Sequence, residues 1–261
     1  MATSTLDPFA PLARYYDVIM EHVDYRHWRD IAAALRAIGP DAPYLDAACG
    51  TGSLLAETTV LRWPAYGFDL SPAMCAAAHR RDPSLRIVRA DLRALPFRRH
   101  FGLVTCLFDS LNFVTEEGEL AVVFQNRADV LAPGGLFFFD LVTERMVRDH
   151  FEGQTWVERN GNFETRWDSH YDRATGIAET TVRVNTGAPA TIRERIYALG
   201  DIETMLDAAG LTLLGAYDAD SWRRPGRRTT RIDIVAACAP APALLAAFRG
   251  VERDVRANLP G

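Results

Sequence analysis

The 261-residue chain contains no lysine, so all 29 of its basic residues are arginine. That absence excludes mechanisms built on a lysine amine, including a pyridoxal phosphate Schiff base and the lysine of a P-loop NTPase. Cysteine is scarce as well. Cys49, Cys75, Cys106 and Cys238 lie far apart, three of them in apolar runs and none in a CxxC pair, which points to buried reduced thiols and not to disulfides or a metal. The six histidines show no metal-ligand spacing either. No apolar stretch approaches the roughly 20 residues of a membrane span, and the start has no apolar segment behind a charged one, so a cytoplasmic protein without membrane contact is expected. With 34 acidic against 29 basic residues the formal charge is −5, which gives no global attraction to nucleic acid.

What remains is 48% hydrophobic and 24% charged, enough for one large core or a domain with an insert. Apolar residues recur at helical spacing from Arg14 to Ile38, where Gly39-Pro40 ends the pattern. Short strands then alternate with helices: 43–47, 53–62, 65–68, 72–80, 86–89, 101–108, 117–131 and 136–141. This alternation predicts a parallel sheet covered by helices. After Phe151 the period changes to four strands (155–158, 162–171, 177–185, 191–197) divided by turn signals such as Asn160-Gly161, the pattern of an antiparallel meander. A helix over 201–209, strands over 212–218 and 231–238 joined by the basic hairpin SWRRPGRRTT, and a last helix from Pro242 to Leu259 complete the chain. The expected organisation is one α/β domain, residues 1–151 and 199–261, with 152–198 inserted as an antiparallel β lid.

Chemistry concentrates at the first strand, Tyr44-Leu45-Asp46-Ala47-Ala48-Cys49-Gly50-Thr51-Gly52, which runs into a loop of small residues and then a helix. Gly50 and Gly52 allow close backbone approach, and the helix start offers free N–H groups to a nucleotide or carboxylate. Asp69 ends the second strand 19 positions after Gly50, near the roughly 20 expected of an acid that accepts from ribose hydroxyls. Asp91 follows the third strand, where it could accept from an adenine amino group. A dinucleotide fingerprint is incomplete, because Leu55 stands where the third glycine belongs and no second mononucleotide half follows.

With these residues in view, the sequence resembles the class I S-adenosylmethionine-dependent methyltransferases. The match extends over LDAACGTG, GFDLSPAM, RADLRALP, DVLAPGGLFFFD and the final helix and hairpin. Arg14-Tyr15-Tyr16-Asp17, DYRHW and CLFDSLNF are similar to bacterial small-molecule members with an insert after strand five, such as amino-sugar N,N-dimethyltransferases, and more distantly to glycine N-methyltransferase. Ala48 departs from the family, where many members carry a glycine. The resemblance implies a Rossmann-like seven-stranded sheet with helices on both faces and S-adenosylmethionine as cofactor. By position it implies Asp46, Ala48, Gly50 and Gly52 around the methionine moiety, Asp69 at the ribose, Leu70 and Met74 at the adenine face, and Asp91 with Leu92 at its edge. Tyr16 and Trp28 would close over the cofactor and Leu107 would lie beneath it. Tyr15, Phe108, Asp109 and Asn112 would approach a small-molecule acceptor.

Methyl transfer from a sulfonium is an in-line displacement with a neutral leaving group, so it needs neither metal nor strong acid. Positioning can supply roughly 7 to 11 kcal/mol. Asp109 and His170 are the candidate acid–base residues. With no compelling base, nitrogen is preferred over oxygen as the methylated atom; an O-methyltransferase and a non-catalytic cofactor-binding protein are the alternatives. In the insert, Arg166, Trp167, Arg193, Arg195 and Tyr197 suit an acceptor carboxylate or phosphate, or else form an ordinary exposed face. Arg193, Arg195 and Tyr197 share one parity. The hairpin arginines Arg223, Arg224, Arg227, Arg228 and Arg231 read as solvated and not as a nucleic-acid surface. The final helix either caps the sheet or joins two copies in a homodimer.

Overall fold

The protein is described here by a computed structural model covering residues 7–97 and 100–258. The expectation about the chain start falls partly on residues 1–6, and the expected end of the last helix falls on Leu259; both lie outside the described residues. Strands β1 (Tyr44–Ala47), β2 (Ala65–Asp69), β3 (Ile87–Arg89), β4 (Phe101–Cys106), β5 (Leu131–Val142), β10 (Leu211–Asp218) and β11 (Arg231–Cys238) form one sheet in the order β10-β11-β5-β4-β1-β2-β3. The first five run parallel, while β11 is antiparallel to both β5 and β10. Phe137, Phe138 and Phe139 in β5 are each 0% exposed, which explains an unbroken apolar run where a half-buried strand would alternate.

Each sheet face carries its own core. On one side Tyr44, Leu103, Phe138 and Val235 pack with helices α2 (Tyr25–Ile38), α3 (Ser53–Thr59) and α8 (Pro242–Asn258). On the other, Leu45, Val104, Phe137, Phe139 and Ile234 pack with α5 (Glu119–Val130) and α7 (Leu199–Ala208). Leu244, Phe248, Val251 and Val255 are the buried face of α8, so this helix caps the sheet. Local chemistry fixes helix starts: Asp24 accepts from the Arg26 and His27 amides before α2, and Ser71 accepts from Met74 at the head of α4 (Pro72–Arg81). Two short helices complete the set. One is α1 (Tyr16–Ile19); the other, α6 (Glu144–His150), is not expected from the sequence and starts where the Thr143 hydroxyl accepts from Met146. Seven residues are too few to establish a helical period.

The meander forms a separate sheet in the order β6-β7-β8-β9, from Thr155–Asn160, Phe163–Asp172, Ile177–Val184 and Ala190–Arg195. Its inner face, with Phe163, Val182, Val184, Ala190 and Ile192, packs on Leu12 and Ile19 from the N-terminal segment. Ala190 and Ile192 in β9 point inward, so Thr191, Arg193 and Arg195 take the opposite parity and Glu194 takes the inner one. No described helix is long and apolar enough to cross a membrane.

Candidate active site

The loop after β1 turns on three residues with positive φ, Ala48 (56°), Gly50 (55°) and Gly52 (73°). Their conformation aims the Gly50 amide at Asp69, whose Oδ2 accepts from it at 2.8 Å while Oδ1 accepts from the Ser71 amide at 2.8 Å. Burial pushes the Asp69 carboxyl above its ordinary value, and the two amide bonds pull the other way. Above this loop the N-terminal segment is fastened by polar contacts. The Thr51 hydroxyl donates to Asp17 at 2.6 Å, Arg81 pairs with Asp17 at 2.5 Å, and the Ser71 hydroxyl donates to Asp7 at 2.5 Å.

Between the loop and this cover lies a cavity of about 620 Å³. Asp46, Ala48, Gly50 and Asp69 line its base, Leu70 and Met74 one flank, and Asp91 with Leu92 the end beside β3. Tyr16 and Trp28 contribute from the N-terminal helices, and Leu107 and Phe108 from the end of β4. Burial drives the Asp46 carboxyl up to about 7, although the Thr105 hydroxyl donates to it at 2.8 Å. Asp91 is held below the usual carboxylate range by Arg93, which pairs with it at 2.6 Å and reaches Glu119 at 2.9 Å. Arg127, wholly buried in α5, donates to the Leu92 carbonyl at 2.8 Å and fixes that edge.

Several residues assigned to ligands from the sequence lie off the cavity wall. Gly52 sits under the loop, where an added Cβ would meet the side chains of Leu85 at 3.0 Å and Ile87 at 3.2 Å; its glycine serves the turn and the core below it. Tyr15 stacks on Phe163 with centroids 4.4 Å apart. Asn112 is fully buried and ties the Arg195 carbonyl (2.8 Å) to the Val142 amide (3.1 Å). His170 is exposed on the outward parity of β7. Arg195 donates to the carbonyls of Thr115 (2.6 Å) and Thr175 (3.1 Å), and Tyr197, beyond the end of β9, donates to that of Val114. Both therefore anchor the meander. Of the arginine and tyrosine set, only Arg193 lines the cavity, and it also faces Glu179 at 3.5 Å.

Asp109 belongs to a cluster that the sequence does not reveal. Phe108 and Asp109 are both left-handed, with φ of 63° and 53°, and the Asp109 amide donates to Asp140 in β5 at 3.1 Å. Arg231, read as solvated with the hairpin arginines, opens β11 as the expected strand over 231–238 has it, but its side chain is largely buried. There it pairs with Asp109 at 2.9 Å and with Asp140, and its guanidinium sits 5.2 Å over the Phe108 ring. Glu194 takes the inner parity of β9, close enough to Asp109 for their charges to interact. Burial pushes Asp140 and Glu194 upward, and it raises the nearby Asp233, an acceptor for Trp222 Nε1 at 3.0 Å, to about 7. Glu194 could have been found from its shared parity with Ala190 and Ile192. Among the described residues no group of three or more His, Cys, Asp or Glu could hold a metal ion.

Residues 45–135 match the family model described as a methyltransferase domain. A candidate methyltransferase of Bacillus subtilis (strain 168) is 26% identical over 213 residues, 77% of this chain and 85% of that protein. A Streptomyces fradiae enzyme, dTDP-3-amino-3,6-dideoxy-α-D-glucopyranose N,N-dimethyltransferase, is 33% identical over 129 residues, 48% of this chain; the chain thus spans about half, 51%, of that relative. Among solved structures, an S-adenosylmethionine-dependent methyltransferase from Clostridium acetobutylicum ATCC 824 superposes with a TM-score of 0.77 at 24% identity, over 87% of this chain and 97% of that one. At that identity the likeness is one of fold.

Proposed function

We propose that this protein, an S-adenosylmethionine-dependent methyltransferase, methylates an amine nitrogen on a small polar acceptor. The observation that carries the reading is the continuity of one cavity from Asp69 to the Thr191–Arg193 segment of the meander, which gives a cofactor and a small acceptor adjoining walls. The cofactor fits the residues present. Nothing lies within 4 Å of a Cβ built on Gly50, and the neighbouring Asp69 carboxylate retains acceptor capacity for ribose hydroxyls beyond its two amide bonds. When bound, the cofactor supplies an electrophilic methyl group on a cationic sulfur and leaves as a neutral thioether.

The residues of the chain position and exclude. Tyr16, Trp28 and Phe108 offer aromatic surface to a cation, an attraction of about 0.5 to 2 kcal/mol; Trp28 meets Phe108 edge to face at 5.6 Å. The Asp7 and Asp17 contacts hold the N-terminal segment over the cavity and keep water out. Residues 152–198 act as the acceptor-selecting unit, with 1–151 and 199–261 as the cofactor unit. Among the insert cations of the described residues Arg193 is the one at the cavity wall, on the outer parity of β9 and beside Glu179, where its charge can act on an anionic substituent. The Streptomyces fradiae relative, by its name, acts on the amine of a nucleotide-linked sugar, and an amine on a small anionic carrier is the class of acceptor that suits this wall.

The test is a screen with methyl-labelled cofactor against amines and their matched alcohols, read by mass spectrometry. Label on nitrogen is expected. Transfer only to the alcohols would overturn the choice of atom, and cofactor binding without transfer to any acceptor would support the non-catalytic reading.

A further inference from the structure

Asp46 is a buried carboxyl that still lines the base of the cavity. Its Oδ1 accepts from the Thr105 hydroxyl at 2.8 Å, and among the described residues no donor meets Oδ2 and no cation pairs with the group. The ionisable groups near enough for their charges to interact with it are the phenols of Tyr25 and Tyr44, the thiols of Cys49 and Cys106 and the carboxyl of Asp69. None of these carries a positive charge. A buried charge needs a partner, so an ionised Asp46 takes its counterion from the cavity.

Behind Asp46 a hydrogen-bonded chain runs into the core. β1 pairs with β4 so that Asp46 stands opposite Thr105, and Tyr44, two residues before Asp46, shares its face of the sheet. Tyr44 Oη lies 2.7 Å from Thr105 Oγ1, and both residues are wholly buried. A threonine hydroxyl has one proton to donate. Because that proton goes to the Asp46 carboxylate, Tyr44 is the donor to Thr105, and the chain points one way and ends on Asp46. It satisfies Oδ1 from the core side and leaves Oδ2 as the acceptor on the cavity side. Burial favours the protonated acid, and the Thr105 bond works against it.

We propose that Tyr44 and Thr105 are positioning residues for the cofactor, orienting the Asp46 carboxylate so that its free oxygen accepts from the α-ammonium group of the methionine moiety. Of the two cationic centres of the cofactor, the ammonium has N–H donors for Oδ2 and the sulfonium has none. The inference rests on the cofactor and not on the nitrogen reading, and it holds whichever acceptor atom is methylated.

The probes are S-adenosylhomocysteine and 5′-methylthioadenosine, which keeps the adenosine and the sulfur but lacks the amino-acid end, both titrated by calorimetry. Asp46→Asn should weaken the first by about tenfold or more and leave the second within about twofold. Thr105→Val, of nearly the same shape, should weaken S-adenosylhomocysteine about fivefold at pH 7, again with 5′-methylthioadenosine nearly unchanged. Without the hydroxyl the carboxyl protonates more readily, so part of that loss should return between pH 7 and pH 8.5 as Asp46 ionises. A role confined to packing would move both ligands together and give no recovery with pH. Tyr44→Phe, which removes only the first donor of the chain, should shift the ratio of the two affinities in the same direction by about twofold, and it carries the test if Thr105→Val does not fold. An unchanged ratio in the folded Thr105 and Tyr44 variants would overturn the proposal. Failure of the cofactor assignment would look different, because wild type itself would then bind neither ligand.

Discussion

Asp46 and Asp233 are each raised by burial from an ordinary value of 3.8 to about 7, and that makes them pH-sensitive elements of stability. The folded state keeps a proton on each that the unfolded chain releases above about pH 4. Their contribution is therefore full below that pH and is lost as pH rises through about 7, each pH unit in that window removing about 1.4 kcal/mol per group. The melting temperature should fall from pH 5 to pH 8. Asp233→Asn still offers an oxygen to Trp222 Nε1 at the 3.0 Å contact, so its melting profile should be flatter over that range; an unchanged slope would mean that Asp233 is ionised in the folded state. At this scale the sequence is legible where chemistry follows from spacing, as with Asp69 and Asp91. It is not legible where partners lie far apart: Arg231 and Asp109 are separated by 122 positions, and only strand order brings them together.

The loop between β1 and α3 divides its two glycines between separate tasks. A Cβ on Gly50 meets nothing within 4 Å, so Gly50→Ala should cost about 1 kcal/mol of stability for its left-handed φ, yet weaken S-adenosylhomocysteine binding by placing a methyl group at the cavity. Gly52→Ala adds contacts of 3.0 to 3.3 Å with Leu85, Ile87 and Ala78, so it should cost on the order of 2 kcal/mol and leave the affinity of the folded fraction nearly unchanged. Thermal melts and calorimetric titration of both variants check this division. In the meander, Arg195→Ala should lower stability by on the order of 1 to 2 kcal/mol through lost bonds to Thr115 and Thr175, with cofactor affinity retained. A variant with wild-type melting and weaker cofactor binding would contradict that anchoring role. Strand and helix types are readable from periodicity; β5 is not readable in full because Gly134, with a φ of 75°, and Gly135 interrupt its apolar run. In β9 the arginines suggest an acceptor-facing set, whereas the inner face is the one marked by Ala190 and Ile192, and Arg195 spends its donors on loop carbonyls.

At the scale of the whole molecule, a mostly parallel seven-stranded sheet with a core on each face places the ends of β1, β2 and β4 around one crevice, and the meander with the N-terminal segment encloses it. The alternating pattern of strands and helices makes the parallel sheet legible. The closure of the meander on Leu12 and Ile19 is not, because it depends on long-range apolar contacts without a local signature. Function rests on this crevice being a cofactor cradle built on the Asp69 carboxylate. The most direct measurement is calorimetric titration of wild type and Asp69→Asn with S-adenosylhomocysteine, with NAD as the control. One site per chain for S-adenosylhomocysteine, no heat with NAD, and a loss of about 1 to 3 kcal/mol of binding in Asp69→Asn are predicted. Equal affinity in the two proteins, or saturable binding of NAD in place of S-adenosylhomocysteine, would contradict that cradle.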